Sequence, residues 1–453
     1  MSAPARRMSR RGWALLVFGF AAPLAGCTFM PRGAALLQRE AVRAGRPFAA
    51  GSHAGHLPKL PDVPTSEELV RRALLNSPDV QSAYWQWRAA IEAITLRGTE
   101  TTVPALAATV GLKNGAASDA GTLLQLANMS SAPIEWPAKP LAEARAALQR
   151  AYAAGWEFRR AQFTVRRQTL DAWYRLVSDT AKLNLLRRDA ALVGELDEFA
   201  QAGIEAGTVG PGAALRIENE LTGLHARMRA LQGRLPADRA AVNRVLGRPA
   251  TRPLGVPQSF PRLSAARGSI TRLVELAVRG NPDLAALRRE IRAGRIDIER
   301  ASMNYVPDFS LSAATGLDGL TQSLGGALMF PFVRYRAIDA AIRQNRDWLR
   351  ERRAQLRSRR LGISAQLVSD LEMVHSDGAQ IALYSRDVLP RLGQLAAFAR
   401  MDVAQTRASI DALVQIERTR VQIQETLLEL RLDEARRLAD LDALTAARLA
   451  GAD

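Results

Sequence analysis

The spacing of proline limits this chain more than any other feature. No Pro occurs between Pro140 and Pro211, none between Pro331 and Pro390, and none after Pro390. Pro in a helix interior costs about 3 kcal/mol, so these gaps are where long helices can run. A helix of roughly 50–60 residues extends about 75–90 Å at its usual rise. Helices of that length outrun one globular core and predict a coiled coil, a bundle or a cylinder of helices. The last gap narrows the choice. Val414, Val421 and Leu428 recur at heptad spacing, and so do Ile416, Ile423 and Leu430. Positions two apart on a helix point about 200° from each other. A two-stranded coiled coil needs one apolar seam. Two seams predict a neighbour on each side, as in a sheet or cylinder of helices.

The chain also repeats itself. Leu69, Val70, Ala73, Pro78 and Asp79 match Leu273, Val274, Ala277, Pro282 and Asp283 at a constant offset of 204. Duplication at that scale makes each copy one structural unit. In both copies an amphipathic helix follows and ends before Val103-Pro104 or Val306-Pro307. Alternating segments come next: Leu106, Ala108, Val110 and Leu112 in the first copy, and Phe309, Leu311 and Ala313 against Ser310, Ser312 and Ala314 in the second. A turn and a second strand candidate follow each, near 122–135 and 321–332; Gly316-Leu-Asp-Gly319 reads as the second copy's hairpin turn. Alternation over about 10 residues is the pattern of an outer-membrane barrel strand. Two soluble hairpins would show it too, but its recurrence at one place in both copies favours the barrel. Four strands cannot close a conducting barrel; three chains would supply twelve.

The N-terminus reads as an export signal. Arg6, Arg7, Arg10 and Arg11 precede an apolar core from Trp13 to Phe20, too short to span a bilayer. Leu24-Ala25-Gly26-Cys27 then resembles a lipobox. Cleavage before Cys27 would leave its thiol to carry a diacylglycerol and its palmitate-type chains, with no other cofactor expected. Cys27 is the 1 Cys of the chain, which excludes a disulfide framework and a Cys-cluster zinc site. Pro31, Pro47, Pro58, Pro61 and Pro64 make residues 27–64 a tether. His53 and His56 lie there without a nearby carboxylate, a poor metal-ligand set.

The divisions expected are therefore a signal peptide over 1–26, a lipidated tether over 27–64, a first repeat over 65–246 with strands near 104–135, a connector over 247–267, and a second repeat over 268–450 with strands near 307–332. The net charge of +17 invites a nucleic-acid reading. Yet 58 of the 62 basic residues are Arg, spread along the chain with Asp or Glu close by. That is the pattern of solvated helix faces, and no nucleic-acid partner is expected. No Gly-rich phosphate loop, nucleophile–base pair or paired-carboxylate arrangement stands out, so no catalysis is expected. Trp85, Trp87, Trp136, Trp156 and Trp173 read as packing residues; Phe330, Phe332 and Tyr335 suit either a membrane interface or a strand–helix junction.

Over about residues 65–450 the sequence resembles the TolC family of outer-membrane efflux proteins. The Asn/Ser-Pro-Asp opening of each repeat carries the likeness, with the twice-repeated order of helix, hairpin, long helix, turn and helix. Pro133 to Lys139 is similar to a stretch of the CzcC-like heavy-metal branch, with Ala138-Lys139 in place of Gly-Lys. The resemblance implies a mainly α fold with a membrane β-barrel: a homotrimer whose 12-stranded barrel continues as a periplasmic α-helical barrel. It implies a passive exit duct of a tripartite efflux system, partnered by a periplasmic adaptor, a proton-driven inner-membrane pump and outer-membrane lipid. A type I protein-secretion duct is the rival within the family, and a lipid-anchored helical envelope scaffold the rival outside it. The adaptor-contact tip would comprise Gly207, Thr208, Val209 and Gly210 in the first repeat. In the second it would comprise Gln405, Thr406 and Arg407, where Gln405 replaces the family's usual Gly. Asp411 matches a pore-facing position, so three copies would narrow the pore near one axis. The plainer account of Asp411 is a solvated carboxylate beside Arg407, one helical turn away.

Overall fold

The computed structural model describes residues 30–48, 59–99, 107–110, 124–128, 136–207, 209–261, 263, 269–315, 322–330, 334–404 and 410–447. Its architecture is mainly helical. In chain order the elements are α1 (Ala34–Ala44), a 3-10 turn (Arg46–Phe48), α2 (Ser66–Asn76), α3 (Pro78–Thr99), β1 (Ala107–Val110), β2 (Leu124–Asn128), α4 (Ala138–Glu205) and α5 (Pro211–Val245). They continue as α6 (Ile270–Gly280), α7 (Pro282–Ser302), a 3-10 turn (Met303–Tyr305), β3 (Asp308–Thr315), β4 (Gln322–Met329), α8 (Tyr335–Leu383), a π turn (Tyr384–Val388), α9 (Leu389–Ala404) and α10 (Ile410–Thr445). The Pro-free stretches carry the long helices. α4 has 68 residues and α8 has 49.

The helices also pass sites where sequence rules would stop them. Pro236 lies inside α5. Pro390 is accommodated by the π turn before it. Pro has no N–H to offer the carbonyl one turn back, and the Leu389 N–H reaches instead to the Tyr384 carbonyl, the wider i→i−5 ladder of a π turn. The N-terminal tether needs correction as well. Between Pro31 and Pro47 it folds into α1, with Ala34, Leu37 and Ala41 buried along one stripe. The spacing i, i+3, i+7 places those three on one face; reading the prolines alone hid it.

The chain divides into two compact units. One comprises residues 1–42, 86–154 and 287–355. It holds a four-stranded antiparallel sheet in the order β1-β2-β3-β4. β3 and β4 pair along their full lengths, Asp308 opposite Met329 through Thr315 opposite Gln322. Leu328 is exposed.

The start of β3 is held by a buried cation. Lys139, in the first turn of α4, is 2% exposed. Its Nζ donates to Asp308 Oδ1 at 2.5 Å and to the Val306 carbonyl at 3.3 Å. A buried ammonium needs such partners to offset its desolvation. Tyr305 and Tyr335 stack with ring centroids 5.8 Å apart, and the Tyr305 hydroxyl donates to Asp339. Both tyrosines and Phe330 are exposed.

The second unit comprises residues 43–85, 155–286 and 356–453. One apolar cluster joins α4, α5, α9 and α10 through Leu186, Ile217, Leu224, Leu413 and Val421, among others. Another joins α6, α7, α8 and α10 through Leu273, Leu284, Leu367 and Leu441. Of the two heptad seams on α10, Val414 and Val421 are buried in the first cluster with Leu428 against it. Ile416, Ile423 and Leu430 remain half-buried. Of the tryptophans read as packing residues, Trp87 and Trp173 are buried. Trp85 and Trp136 are 54% and 48% exposed and do not belong to a core; helical spacing alone could not tell which face each helix turns inward. Among the described residues no helix is long and apolar enough to cross a membrane.

Candidate functional site

The turn between α4 and α5 is built backward from its dihedral angles. Gly207 takes φ +71°, the left-handed region where a side chain costs about 1 kcal/mol or more. It follows the helix end and donates to the Ile204 carbonyl, while the Val209 N–H reaches the Gly203 carbonyl. Those bonds satisfy carbonyls that a helix C-terminus leaves open. Gly210 then serves as N-cap of α5, with φ −74° and ψ 144° and no side-chain bond, and Pro211 opens the helix. Pro suits that first position because its missing N–H would have no partner there. A Cβ on Gly207 or Gly210 would meet nothing within 4 Å. The demand at Gly207 is thus conformational, and Gly210 is under no such demand. Val209 packs against the cluster of α4, α5, α9 and α10, while Gly207 and Gly210 are exposed.

Asp411 stands in the first turn of α10. Its partner is Arg216 of α5. The Arg216 Nη2 donates to Asp411 Oδ2 at 2.5 Å and Nε to Oδ1 at 3.0 Å, a bidentate fork. This hydrogen bonding holds the Asp411 carboxyl below its usual range and raises the Arg216 guanidinium. The side chains are 36% and 61% exposed, so the pair is a surface one in this chain and worth little in stability.

Below it lies a buried charge cluster. Glu417, 2% exposed, accepts from Arg400 and Arg420 at 2.8 Å each. Asp189 of α4 is also buried. Burial pushes its carboxyl from 3.8 up to about 6; the charges of Glu417 and Glu220 add to this, and Arg227 and Arg420 oppose it. Arg227 meets Glu425 at 3.3 Å and Glu220 at 3.6 Å.

Of the site residues read from the sequence, Gly207, Val209 and Gly210 fall in one turn and Asp411 in an ion pair with another helix. Cys27, Thr208, Gln405, Thr406 and Arg407 lie outside the described residues, as do His53 and His56. The sequence reading missed Arg216, Asp189 and Glu417. No linear signal pointed to Arg216, which stands 195 residues from Asp411. Glu417 could have been suspected, because it interrupts the buried stripe between Val414 and Val421. Among the described residues no group of His, Cys, Asp and Glu is arranged to hold a metal ion.

Comparison with protein-family models and with curated proteins finds no match. Solved structures do match. The outer-membrane channel OprN aligns at 15% identity over 86% of this chain and 93% of its own, with TM-score 0.70. The outer membrane protein VceC of Vibrio cholerae aligns at 15% identity over 84% and 96%, with TM-score 0.71. CusC, described in terms of folding and transmembrane channel formation, aligns at 14% identity over 84% and 92%, with TM-score 0.72. Long paired helices, two hairpins in one sheet and near-full mutual coverage together assign this chain the fold of the outer-membrane efflux channels.

Proposed function

We propose that this protein is the outer-membrane exit duct of a tripartite efflux system. It conducts substrates passively, and energy comes from a proton-driven inner-membrane pump joined through a periplasmic adaptor. The observation that carries this reading is the fold shared with outer-membrane channels over more than four fifths of the chain. Three copies would set four strands each into a 12-stranded barrel. The antiparallel pairing of β3 with β4 along their full lengths suits two neighbouring strands of such a barrel. The half-buried seam of Ile416, Ile423 and Leu430 suits a neighbouring protomer. Cys27 would carry the lipid that anchors the chain to the outer membrane. The turn at Gly207–Gly210 and its counterpart at Gln405–Arg407 would meet the adaptor.

At the constriction the proposal is specific. Asp411 is held by Arg216 in the same chain, so its charge is masked rather than bare. Removing Arg216 would expose three carboxylates to the axis, and removing Asp411 would leave three guanidiniums. The test uses detergent-purified full-length protein. Its mass should be that of a trimer, with discrete conductance steps in a planar bilayer. Arg216→Ala should increase cation preference and block by divalent cations, and Asp411→Ala should reverse the preference. A monomer without conductance would remove the duct. Conductance unchanged by both substitutions would remove the constriction.

A further inference from the structure

In the unit that contains the sheet, one side of α8 carries a row of cations without matching acids. Arg336, Arg343, Arg346, Arg350 and Arg353 follow one another on this helix at steps of three, four or seven residues, and all five are exposed. Such steps keep side chains on one side of a helix, with those three or four apart as close neighbours. From Arg336 to Arg353 the row is about 26 Å long at the usual helical rise. Among the described residues, only Arg350 of the five forms an ion pair, with Asp347 at 2.8 Å, and both of those side chains lie mostly in water.

The rest of this unit has no acid to spare. Every carboxylate described in it is already engaged. Glu143, Glu290, Asp297 and Glu299 face arginines, Asp308 faces Lys139, and Asp339 accepts from the Tyr305 hydroxyl; the others have partners as well. A second copy of this unit would therefore bring the same surplus of cations and not the missing anions. The row is also long. A single small anion would occupy one or two of its guanidiniums. A membrane surface level with the sheet would reach only the first turns of α8, because salt confines headgroup attraction to about 8–10 Å.

We infer that this side of α8 is a docking strip for an anionic glycan, a chain of sugars with carboxylates at regular intervals, lying along the helix. Each guanidinium fork can take a carboxylate through two hydrogen bonds. The occupant rests on the proposed function, since an exit duct crosses the envelope and the extended anionic polymers there are glycans. Its test reads binding, so it can fail while the trimer mass and the conductance stand.

Detergent-purified full-length protein is passed over immobilised polygalacturonate, which has one carboxylate per sugar, and over uncharged dextran. The expected result is saturable binding to polygalacturonate that added salt weakens, with none to dextran. Arg343→Gln, Arg346→Gln and Arg353→Gln together should lower the affinity about tenfold, since each exposed ion pair contributes a factor of a few. Arg39→Gln, Arg279→Gln and Arg391→Gln together remove equal charge from exposed sites on other helices and should change it less than about twofold. Equal losses in the two triple variants, or no saturable binding to polygalacturonate, would overturn the inference. So would vesicles of anionic phospholipid that bind more tightly than the glycan and lose as much affinity in the α8 triple, which would give the strip to lipid. A changed oligomeric mass in that triple would give it to a neighbouring copy. Should the triple fail to fold, Arg353→Gln alone decides, with a loss of about twofold expected against none for Arg391→Gln.

Discussion

The two repeats close in the same way, one residue out of step. In the first, Asn76 at the end of α2 donates through Nδ2 to the Leu246 and Gly247 carbonyls at 2.8 and 3.1 Å. In the second, Asn281 just after α6 donates to the Leu444 carbonyl at 3.0 Å. Each bond fastens the end of a short opening helix to the end of the repeat's last long helix. Asn281 has a second duty that Asn76 lacks. Its Oδ1 accepts from the Asp283 and Leu284 N–H groups and caps α7. The exits differ as well. The chain leaves α5 through Gly247 at φ +64° and leaves α10 through Ala446 at φ +51°. Only glycine adopts that region freely. The same geometry recurs, supplied by different residues.

The largest expected effect breaks the comparison at its hydrogen bonds. Asn281→Ala removes a clamp and a cap from a buried site, and should destabilise the chain by about 2 kcal/mol or more. Asn76→Ala removes a clamp alone, from a half-buried site, and should cost about 1 kcal/mol. Denaturant midpoints of the purified full-length variants compare the two. Equal losses would show that the cap at Asn281 contributes nothing.

A smaller effect, opposite in sign between the repeats, tests the exits. A Cβ on Gly247 would sit 2.6 Å from the Asn76 carbonyl oxygen. Gly247→Ala therefore combines a clash with a left-handed backbone, and should cost more than about 1 kcal/mol. Ala446→Gly relieves strain and should raise stability by up to about 1 kcal/mol. Thermal melts would reveal a shared sign, which would undo the parallel between the two exits.

The smallest effect separates both closures from the charged cluster between the long helices. The closures are made of amides and carbonyls, which do not titrate. Asp189 does, with its carboxyl raised from 3.8 to about 6 by burial and then by Glu417 and Glu220. Across that window the folded chain keeps a proton that the unfolded chain has released, so stability falls as pH rises through it. Asp189→Asn should flatten this slope, and Asn281→Ala and Gly247→Ala should leave it. Denaturant midpoints measured across that pH range check it. A slope unchanged in Asp189→Asn would move its origin to the other carboxyls that burial raises, Asp370, Glu434 and Asp440 together with Asp238, which burial and Asp179 push to about 6.

The mainly helical fold was legible because its causes are local. A Pro-free stretch permits a long helix whatever surrounds it, and α4 and α10 run through such stretches. Gly207 could be singled out because a helix end in a left-handed turn favours glycine. The exceptions were also local, but needed more than one rule. α1 lay hidden among prolines, and α5 runs past Pro236.

The partners of the charged groups were not legible. Asp411 had Arg407 within one turn, yet Arg216 on another helix takes it. Lys139 had a place in a motif, and only the fold shows it buried against Asp308. Ion pairs of this kind join residues far apart in the chain, and no periodicity encodes them. The sequence by itself determined where helices can run, since backbone sterics and hydrogen bonding act over a few residues. The tertiary structure alone decided which charges are neutralised and which are left unmatched, since these depend on which helices come to lie side by side.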